Sequence, residues 1–430
     1  MRGSGRVHAK AYAKAYAKAY AGAVTLASPL LWRMLERRVA LGKEIAGRLP
    51  ERRGQASAAR PEGRLVWFHA ASVGETLSLL PLIGALEGEA SVLLTTGTVT
   101  AAGLAAERLP EFALHQFAPL DVPRWVGKFL DHWRPDGAVF VESELWPATL
   151  AALDARQIPR FLVNASLSAR SAARWRRAPG LARGLLGGFR AVHAQSAGDA
   201  ARLAALGAAP VLQWGNLKYA SALLPVDEAA LGEMRRRLQG PVWLAASTHP
   251  GEEAVVIAAH RLLARRLPEI MTVIAPRHPA RGPEIAALAT GLPVARRALG
   301  EPPPGERDHG GIYVADTLGE LGLFYRLCPC AFVGGSLVPV GGHNLVEAAR
   351  LGTALLTGPD THEIAEQVET LRQARALVEV ADAEALAAGV LALLEDAVAA
   401  LEMGARGLRA FDGLADLPAR LGALILEACA

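Results

Sequence analysis

Twice along this chain, short apolar runs alternate with longer alanine- and leucine-rich stretches, and no other feature limits the available folds as much. The first series places candidate strands at 65–69, 91–95, 137–141, 160–163, 191–194 and 211–214. The second places them at 242–246, 271–275, 312–314, 331–333, 354–356 and 377–380. Nearly continuous apolar runs of this length suit a parallel sheet buried on both faces, with the intervening stretches as crossover helices. A polar, charge-mixed helical segment at 227–238 separates the two series. The chain therefore reads as α/β, with two doubly wound Rossmann-like domains in tandem. Ligands are expected in a central cleft beyond the carboxyl ends of the strands. A length of 430 residues suits two domains of ordinary size.

Charge is distributed unevenly. Residues 1–60 hold thirteen Lys and Arg against three Glu, a charge of +10, so the net +4 of the chain leaves −6 for the rest. The basic part reads as an arm suited to an anionic membrane surface. Nucleic acid is not expected as a partner, because no recognition fold accompanies the basic residues. Within the arm, 9–20 is three copies of AKAY. As a helix this sets Lys10, Lys14 and Lys18 on one stripe, roughly opposite Tyr12, Tyr16 and Tyr20. The charge-free run 19–32 contains Pro29 and is too short to cross a bilayer easily, but long enough to lie in one face of it. The alternative is a low-complexity leader without a membrane role. Three cysteines, with Cys328 and Cys330 spaced wrongly for a CxxC motif, suit a reducing compartment.

Polar clusters fall where strands end. His69–Glu75 follows the first strand, and Ser72 and Glu75 have capping-box spacing. Beside the flexible Gly74, Glu75 is also placed to act as a general base on a hydroxyl. Glu142 and Glu144 end an apolar strand, where an unpaired carboxylate is costly, so Lys218 or Arg170 is expected as a partner unless they line a site. Further polar loops follow at 164–171 and 215–218. In the second half, Ser247 and Thr248 open the loop STHPGEE. Pro276, Arg277 and His278 follow the next strand, and a guanidinium there offers paired donors to a phosphate. Thr317 and Glu320 have capping-box spacing around Gly319. The segment 331–348, AFVGGSLVPVGGHNLVEA, reads as a strand, a four-glycine loop and a helix opening near Asn344. Gly334, Gly335, Gly341 and Gly342 are expected to leave backbone amides uncovered for a phosphate or sugar-nucleotide, the other possibility being a turn capped by Asn344 and Glu347. No Walker lysine, no GxGxxG after the first strand of either half and no zinc-ligand spacing occurs.

Taken together, HAASVGET, VESELWP, NASLSARS, GNLKY, ASTHPGEE, APRHP, DTLGELGLFY and FVGGSLVPVGGHNLVEAA have the order and spacing of one family. From about residue 65 onward the chain closely resembles the 3-deoxy-D-manno-octulosonic acid (Kdo) transferases. The resemblance implies a glycosyltransferase-B fold and an inverting, metal-independent transfer of Kdo from CMP-Kdo to a lipid A precursor, with no cofactor. It implies a leader at 1–60, an acceptor domain at 61–220 and a CMP-sugar domain at 221–430 whose last helix packs back on the first domain. The implied site is the cytoplasmic face of the inner membrane. By matching motif, Glu75 would be the base, and Glu142 with Lys218 would stabilise the transition state. Pro276, Arg277, Gly319, Glu320, Leu321, Asn344, Leu345, Val346 and Glu347 would hold CMP. Ser72, Gly74, Ser247, Thr248, His278, Gly335, Ser336 and His343 are further residues expected along the cleft. The chain departs from the family pattern at Ser166, where arginine is usual, at Pro339-Val340, which replace a Glu-Arg pair, and at Leu345, which replaces proline. Two rival functions stand beside this one: another glycosyltransferase or a sugar-nucleotide epimerase on the same fold, and a catalytically silent membrane-bound binding protein.

Overall fold

The computed structural model describes residues 3–220, 223–238, 240–304 and 310–429, with side chains throughout except those of 3–14 and 17. It divides into two units. Unit 1 comprises Met1–Ala222 and Gly413–Ala430, and unit 2 comprises Leu223–Asp412.

Unit 1 contains the strands β1 (Leu65–Ala70), β2 (Ser91–Thr96), β3 (Ala113–Phe117), β4 (Gly137–Val141), β5 (Arg160–Ala165), β6 (Ala191–Ala194) and β7 (Val211–Leu212). Its helices are α1 (Gly3–Ala40), α2 (Val73–Gly84), α3 (Val99–Arg108), α4 (Pro123–Trp133), α5 (Pro147–Ala155), α6 (Ala169–Trp175), α7 (Pro179–Leu186) and α8 (Ala197–Ala205). The sheet is parallel, in the order β3-β2-β1-β4-β5-β6-β7. Every residue of β1 and β4 is buried, as a central parallel strand requires. Trp67, Phe129, Trp133 and Phe140 pack in the core between the sheet and α4. Burying a side chain of this size contributes about 1.5–3 kcal/mol.

Composition sets residues 1–60 apart as an arm, but their structure joins them to this unit. Helix α1 packs along α7 and α5, with Leu35 and Ser28 buried. After it, the Arg52 guanidinium pairs with the Glu44 carboxylate at 3.0 Å. The same guanidinium donates to the carbonyls of Thr96, Gly97 and Ala118, so it ties the segment to the ends of β2 and β3. The Lys10, Tyr12 and Lys14 positions of the AKAY stripes lie outside the described side chains; of those described, the Tyr16 and Tyr20 rings lie 6.2 Å apart. Among the described residues, no helix is long and apolar enough to cross a membrane.

Unit 2 contains the strands β8 (Val242–Thr248), β9 (Met271–Pro276), β10 (Val294–Arg296), β11 (Gly311–Val314), β12 (Cys330–Val333), β13 (Ala354–Thr357) and β14 (Leu377–Glu379). Its helices are α9 (Glu228–Arg237), α10 (Glu252–Leu263), α11 (Gly282–Leu288), α12 (Leu321–Leu327), α13 (Val346–Ala349), α14 (Ala365–Gln373), α15 (Ala383–Glu395) and α16 (Ala397–Ala410). The parallel order is β10-β11-β9-β8-β12-β13-β14. The last helix, α17 (Leu417–Ala428), belongs to unit 1, where it packs on α2.

Two strands, β3 and β10, have no counterpart among the twelve apolar runs. Both are sheet edges, where one side of the ladder is open and the sequence need not be continuously apolar. Strand order fixes where a ligand fits. The winding reverses between β1 and β4 in unit 1 and between β8 and β12 in unit 2, and crevices open at the carboxyl ends of such strand pairs.

Candidate active site

In unit 1 the crevice after β1 and β4 carries the expected acidic residues. Ser72 caps α2, its hydroxyl accepting from the Glu75 amide at 3.3 Å. The Glu75 carboxylate accepts from the Ser72 hydroxyl at 2.9 Å and from the Ala71 amide at 2.7 Å. The pairing is a variant of the capping box, with the carboxylate reaching the amide one residue before the cap, and it fixes the orientation of the carboxylate. Burial pushes the Glu75 carboxyl above its usual range. The two hydrogen bonds oppose that shift, and the neighbouring Glu144 and Glu142 add to it. A side chain at Gly74 would meet no atom within 4 Å, so the space beside this turn is open.

Glu142 directly follows β4 with φ +56°, and its carboxylate pairs with the Lys218 ammonium at 2.8 Å. Lys218 is the partner; Arg170 is exposed at the start of α6. Lys218 stands on a short 3₁₀ turn, Leu217–Tyr219, held by two asparagines. Asn164 accepts from the Leu217 amide and Asn216 from the Lys218 amide, both at 2.9 Å. Asn164 is itself fully buried with φ +50°, at a register shift in β5. A non-glycine residue in this region carries strain of about 1–3 kcal/mol, and such strain gathers at functional sites.

Unit 2 repeats that device. Ser247 has φ +55° at a register shift near the end of β8. Thr248 is buried; its hydroxyl donates to Glu253 at 3.0 Å, and its carbonyl accepts from the Arg277 amide at 3.0 Å. Pro276 ends β9 in the core, and Arg277 follows it on the surface. No described residue hydrogen-bonds or ion-pairs with the Arg277 guanidinium. His278 is exposed and meets His249 edge to face, their ring centres 5.9 Å apart. His249 in turn contacts His343 through their Nε2 atoms at 2.7 Å. Asn344 caps Val346, and its amide donates to Glu347 at 3.2 Å. Burial raises the Glu347 carboxyl, while Asn344 and Arg277 draw it back.

Other expected residues are placed differently. Leu345 and Val346 are buried, and their amides are already taken by Gln367 and Asn344. Gly319, with φ +82°, and Leu321 flank Glu320, whose carboxylate is gripped by Arg297 at 2.5 and 3.0 Å and also accepts from Thr317. Ser336 is fully buried, donating to the Val333 carbonyl and accepting from the Gly358 amide.

The glycine loop itself requires a correction: its amides are not uncovered. Gly334 donates to the Ala246 carbonyl, Gly341 to Asp360 and Gly342 to the Gly335 carbonyl. The amides of Gly335, Ser336 and Leu337 converge on the carboxylate of Glu252 at 2.7–3.0 Å, and the His249 amide joins them at 2.9 Å. The loop does cradle an anion, but that anion is a fully buried side chain of α10. Buried N–H groups must find acceptors, and here the fold supplies its own. The positive φ of Gly335, Gly341 and Gly342 explains the glycines without a ligand. Glu252 escaped the sequence reading because acidic residues in a first helical turn usually face solvent; the doubled Glu252-Glu253 after Gly251 was the available signal. Among the described residues, no group of three or more His, Cys, Asp or Glu is placed to hold a metal.

Similarity to known proteins agrees with this geometry. The family profile for 3-deoxy-D-manno-octulosonic-acid transferase (kdotransferase) matches residues 47–221. A probable mitochondrial 3-deoxy-D-manno-octulosonic acid transferase of Arabidopsis thaliana is 37% identical over 365 residues, 81% of either chain. The 3-deoxy-D-manno-octulosonic acid transferase of Bordetella pertussis is 35% identical over 387 residues, 86% of this chain and 89% of that one. Among solved structures, MurG of Acinetobacter baumannii superposes with a TM-score of 0.56 at 11% identity, over 85% of this chain and all of its own. That likeness bears on the fold alone, which is of the glycosyltransferase-B type. With identity at this level over four-fifths of both chains, the protein belongs to the Kdo transferase family, glycosyltransferases of lipopolysaccharide biosynthesis.

Proposed function

We propose that the chain transfers Kdo from CMP-Kdo to a lipid A precursor, with inversion at the anomeric carbon and without a metal or cofactor. The observation that carries this reading is Glu75, a buried carboxylate with a raised affinity for protons, held at the β1/β4 crevice beside open space. Such a group accepts the proton of an attacking hydroxyl without also being a strong permanent charge. The Glu142–Lys218 pair, with Glu142 at a strained backbone position and the Lys218 turn held by Asn164, supplies charge to stabilise the transition state. In unit 2, Arg277 is exposed and without a described partner, as a guanidinium reserved for a phosphate would be. Asn344 and Glu347 remain partly accessible for nucleotide contacts, whereas Leu345 and Val346 act from within the core.

Incubating the protein with CMP-Kdo and a lipid A precursor, followed by mass spectrometry, is expected to show the acceptor heavier by one or more Kdo units. Turnover of a UDP-sugar in place of CMP-Kdo would reassign the donor, and absence of any product would favour a silent binding protein. Arg277→Ala is expected to weaken CMP binding roughly 10- to 100-fold, the loss of one charge-assisted contact. An affinity within a factor of two of the native value by calorimetry removes Arg277 from the phosphate site.

We place the protein on the cytoplasmic face of the inner membrane through α1. Leu26, Leu30 and Met34 recur every fourth residue on an exposed stripe of that helix, with Leu26 84% and Leu30 69% exposed. Arg33 and Arg37 are exposed beside them. An apolar stripe edged with arginines lies well in the headgroup boundary of an anionic bilayer. The double variant Leu26→Glu, Leu30→Glu is expected to lose most of its co-sedimentation with anionic vesicles while the fold persists, because neither side chain is part of the core. Unchanged sedimentation moves the membrane contact elsewhere.

A further inference from the structure

The histidines of unit 2 have a task to match their geometry. His249 follows β8 and His343 follows β12, the strand pair at the reversal of the sheet. Their Nε2 atoms are 2.7 Å apart, their ring centres 4.9 Å apart and their planes 19° from parallel. A centre-to-centre separation equal to the nitrogen contact plus two ring radii means that the rings meet edge to edge in nearly one plane. A contact of that length holds only when one Nε2 carries a hydrogen and the other presents its lone pair. With both rings fully protonated, two N–H groups would point at each other and the bond would break. The pair therefore holds either no extra proton or one, and titrates as a unit.

One buried carboxylate holds both loops in place: Glu252 accepts from the His249 amide and from Gly335, and a side chain at Gly335 would press on the His343 ring at 3.0 Å. The charged groups around the pair are Glu252 and Glu253 from α10, and Arg277 and His278 from the loop after β9. Glu347 on α13 feels the same Arg277, and near Gly341, two residues before His343, stand Asp360, which accepts from its amide, and the side chains of His362 and Glu363. Burial lowers the proton affinity of both rings. Repulsion from His278 and Arg277 lowers it further, while Glu252 opposes the shift. With no phosphate beside it, the pair therefore takes up an extra proton less readily than a free imidazole does.

We infer, on the reading of unit 2 as the CMP-sugar domain, that the His249–His343 pair is a one-proton phosphate-binding element working with Arg277. When the nucleotide phosphate arrives, the pair takes a single proton from solvent and presents it with an N–H donor and a positive charge. As the anomeric carbon–oxygen bond breaks, its electron pair stays on the phosphate, which gains a second negative charge. The acceptor oxygen forms the new bond to that carbon, and its proton passes to the base. The pair keeps its proton through this step, opposing the new charge, and returns it to solvent when CMP leaves. Each histidine is useful only with the other, because the hydrogen bond between them makes a single site.

Calorimetric titration of the full-length protein with CMP in buffers of different ionisation enthalpy tests this directly. At about pH 7.5 a phosphate monoester with a pKa of about 6 is already a dianion, so uptake belongs to the protein. Binding of CMP is expected to take up close to one proton, and binding of cytidine none. His249→Gln, His343→Gln and the double variant are each expected to abolish the uptake and to weaken CMP binding equally, without additivity. Binding to the native protein without uptake, uptake of two protons, or loss of uptake in only one single variant overturns the inference alone. Absence of any CMP binding removes it together with the donor assignment. Should a variant fold poorly, the comparison of CMP with cytidine on the native protein decides by itself.

Discussion

Glu75→Gln is expected to lower kcat by about 10²- to 10⁴-fold, the usual contribution of a positioned general base, while leaving CMP affinity unchanged. Glutamine is the informative replacement because the carboxylate also closes the capping box with Ser72, and glutamine serves in that position. Alanine would lose the base and loosen the helix start together. The effect on folding has the opposite sign to the effect on rate. Burial raises the folded-state pKa of Glu75, so its stabilising share is complete below the unfolded pKa and is lost as pH rises through the raised value. The permanently neutral variant is thus expected to be no less stable than the native protein at neutral pH, by thermal melting. In the native enzyme the ionised form is the active one, so kcat/KM should rise with pH through an apparent pKa above the ordinary carboxylate range. A near-native rate in Glu75→Gln, assayed with purified acceptor and CMP-Kdo, would falsify the base assignment.

The second large effect concerns a residue that touches no proposed substrate. Glu252→Ala strips the acceptor from four amides, the buried ones of Gly335 and Ser336 and the partly buried ones of His249 and Leu337. Each unsatisfied donor costs about 1–3 kcal/mol, so even with water entering the gap the loss is roughly 3 kcal/mol or more. For a unit of this size that corresponds to a fall in Tm of roughly 10 °C. Because those amides belong to the two loops that carry His249 and His343, CMP binding should fall as well. Differential scanning calorimetry settles the point: a melting temperature within about 2 °C of native means that other groups can satisfy the loop.

How much of this was legible beforehand differs from element to element. All twelve apolar runs correspond to strands; ten of them lie inside the sheets, where a parallel strand must be apolar on both faces, and that demand is written residue by residue, while the other two are the edges β7 and β14. Strands β3 and β10 were not legible, since each is an edge whose sequence, ALHQF and VAR, is broken by polar or charged residues that an open edge tolerates. The Ser72–Glu75 box was legible from spacing alone, because both groups lie within one helical turn. The Glu142–Lys218 pair was one of two options, and choosing it took Asn164 and Asn216, which hold the lysine turn from separate parts of the chain.

The glycine loop marks the boundary between the two kinds of knowledge. Its glycines pointed to an unusual backbone with free amides; the positive φ at Gly335, Gly341 and Gly342 is a local property that glycine permits, but the amides are occupied. By itself, then, the sequence determined an α/β chain of two wound units, with the polar groups of the site at the ends of its strands. What fills the loop is not local: Glu252 stands more than eighty positions earlier in the chain. Only the tertiary structure, by setting β8 beside β12 and β1 beside β4, decided that a carboxylate occupies the cradle, that His249 meets His343, and that Glu75 and Glu142 share one crevice. Strand order brings these groups together, and strand order follows from the packing of the whole sheet rather than from any one segment.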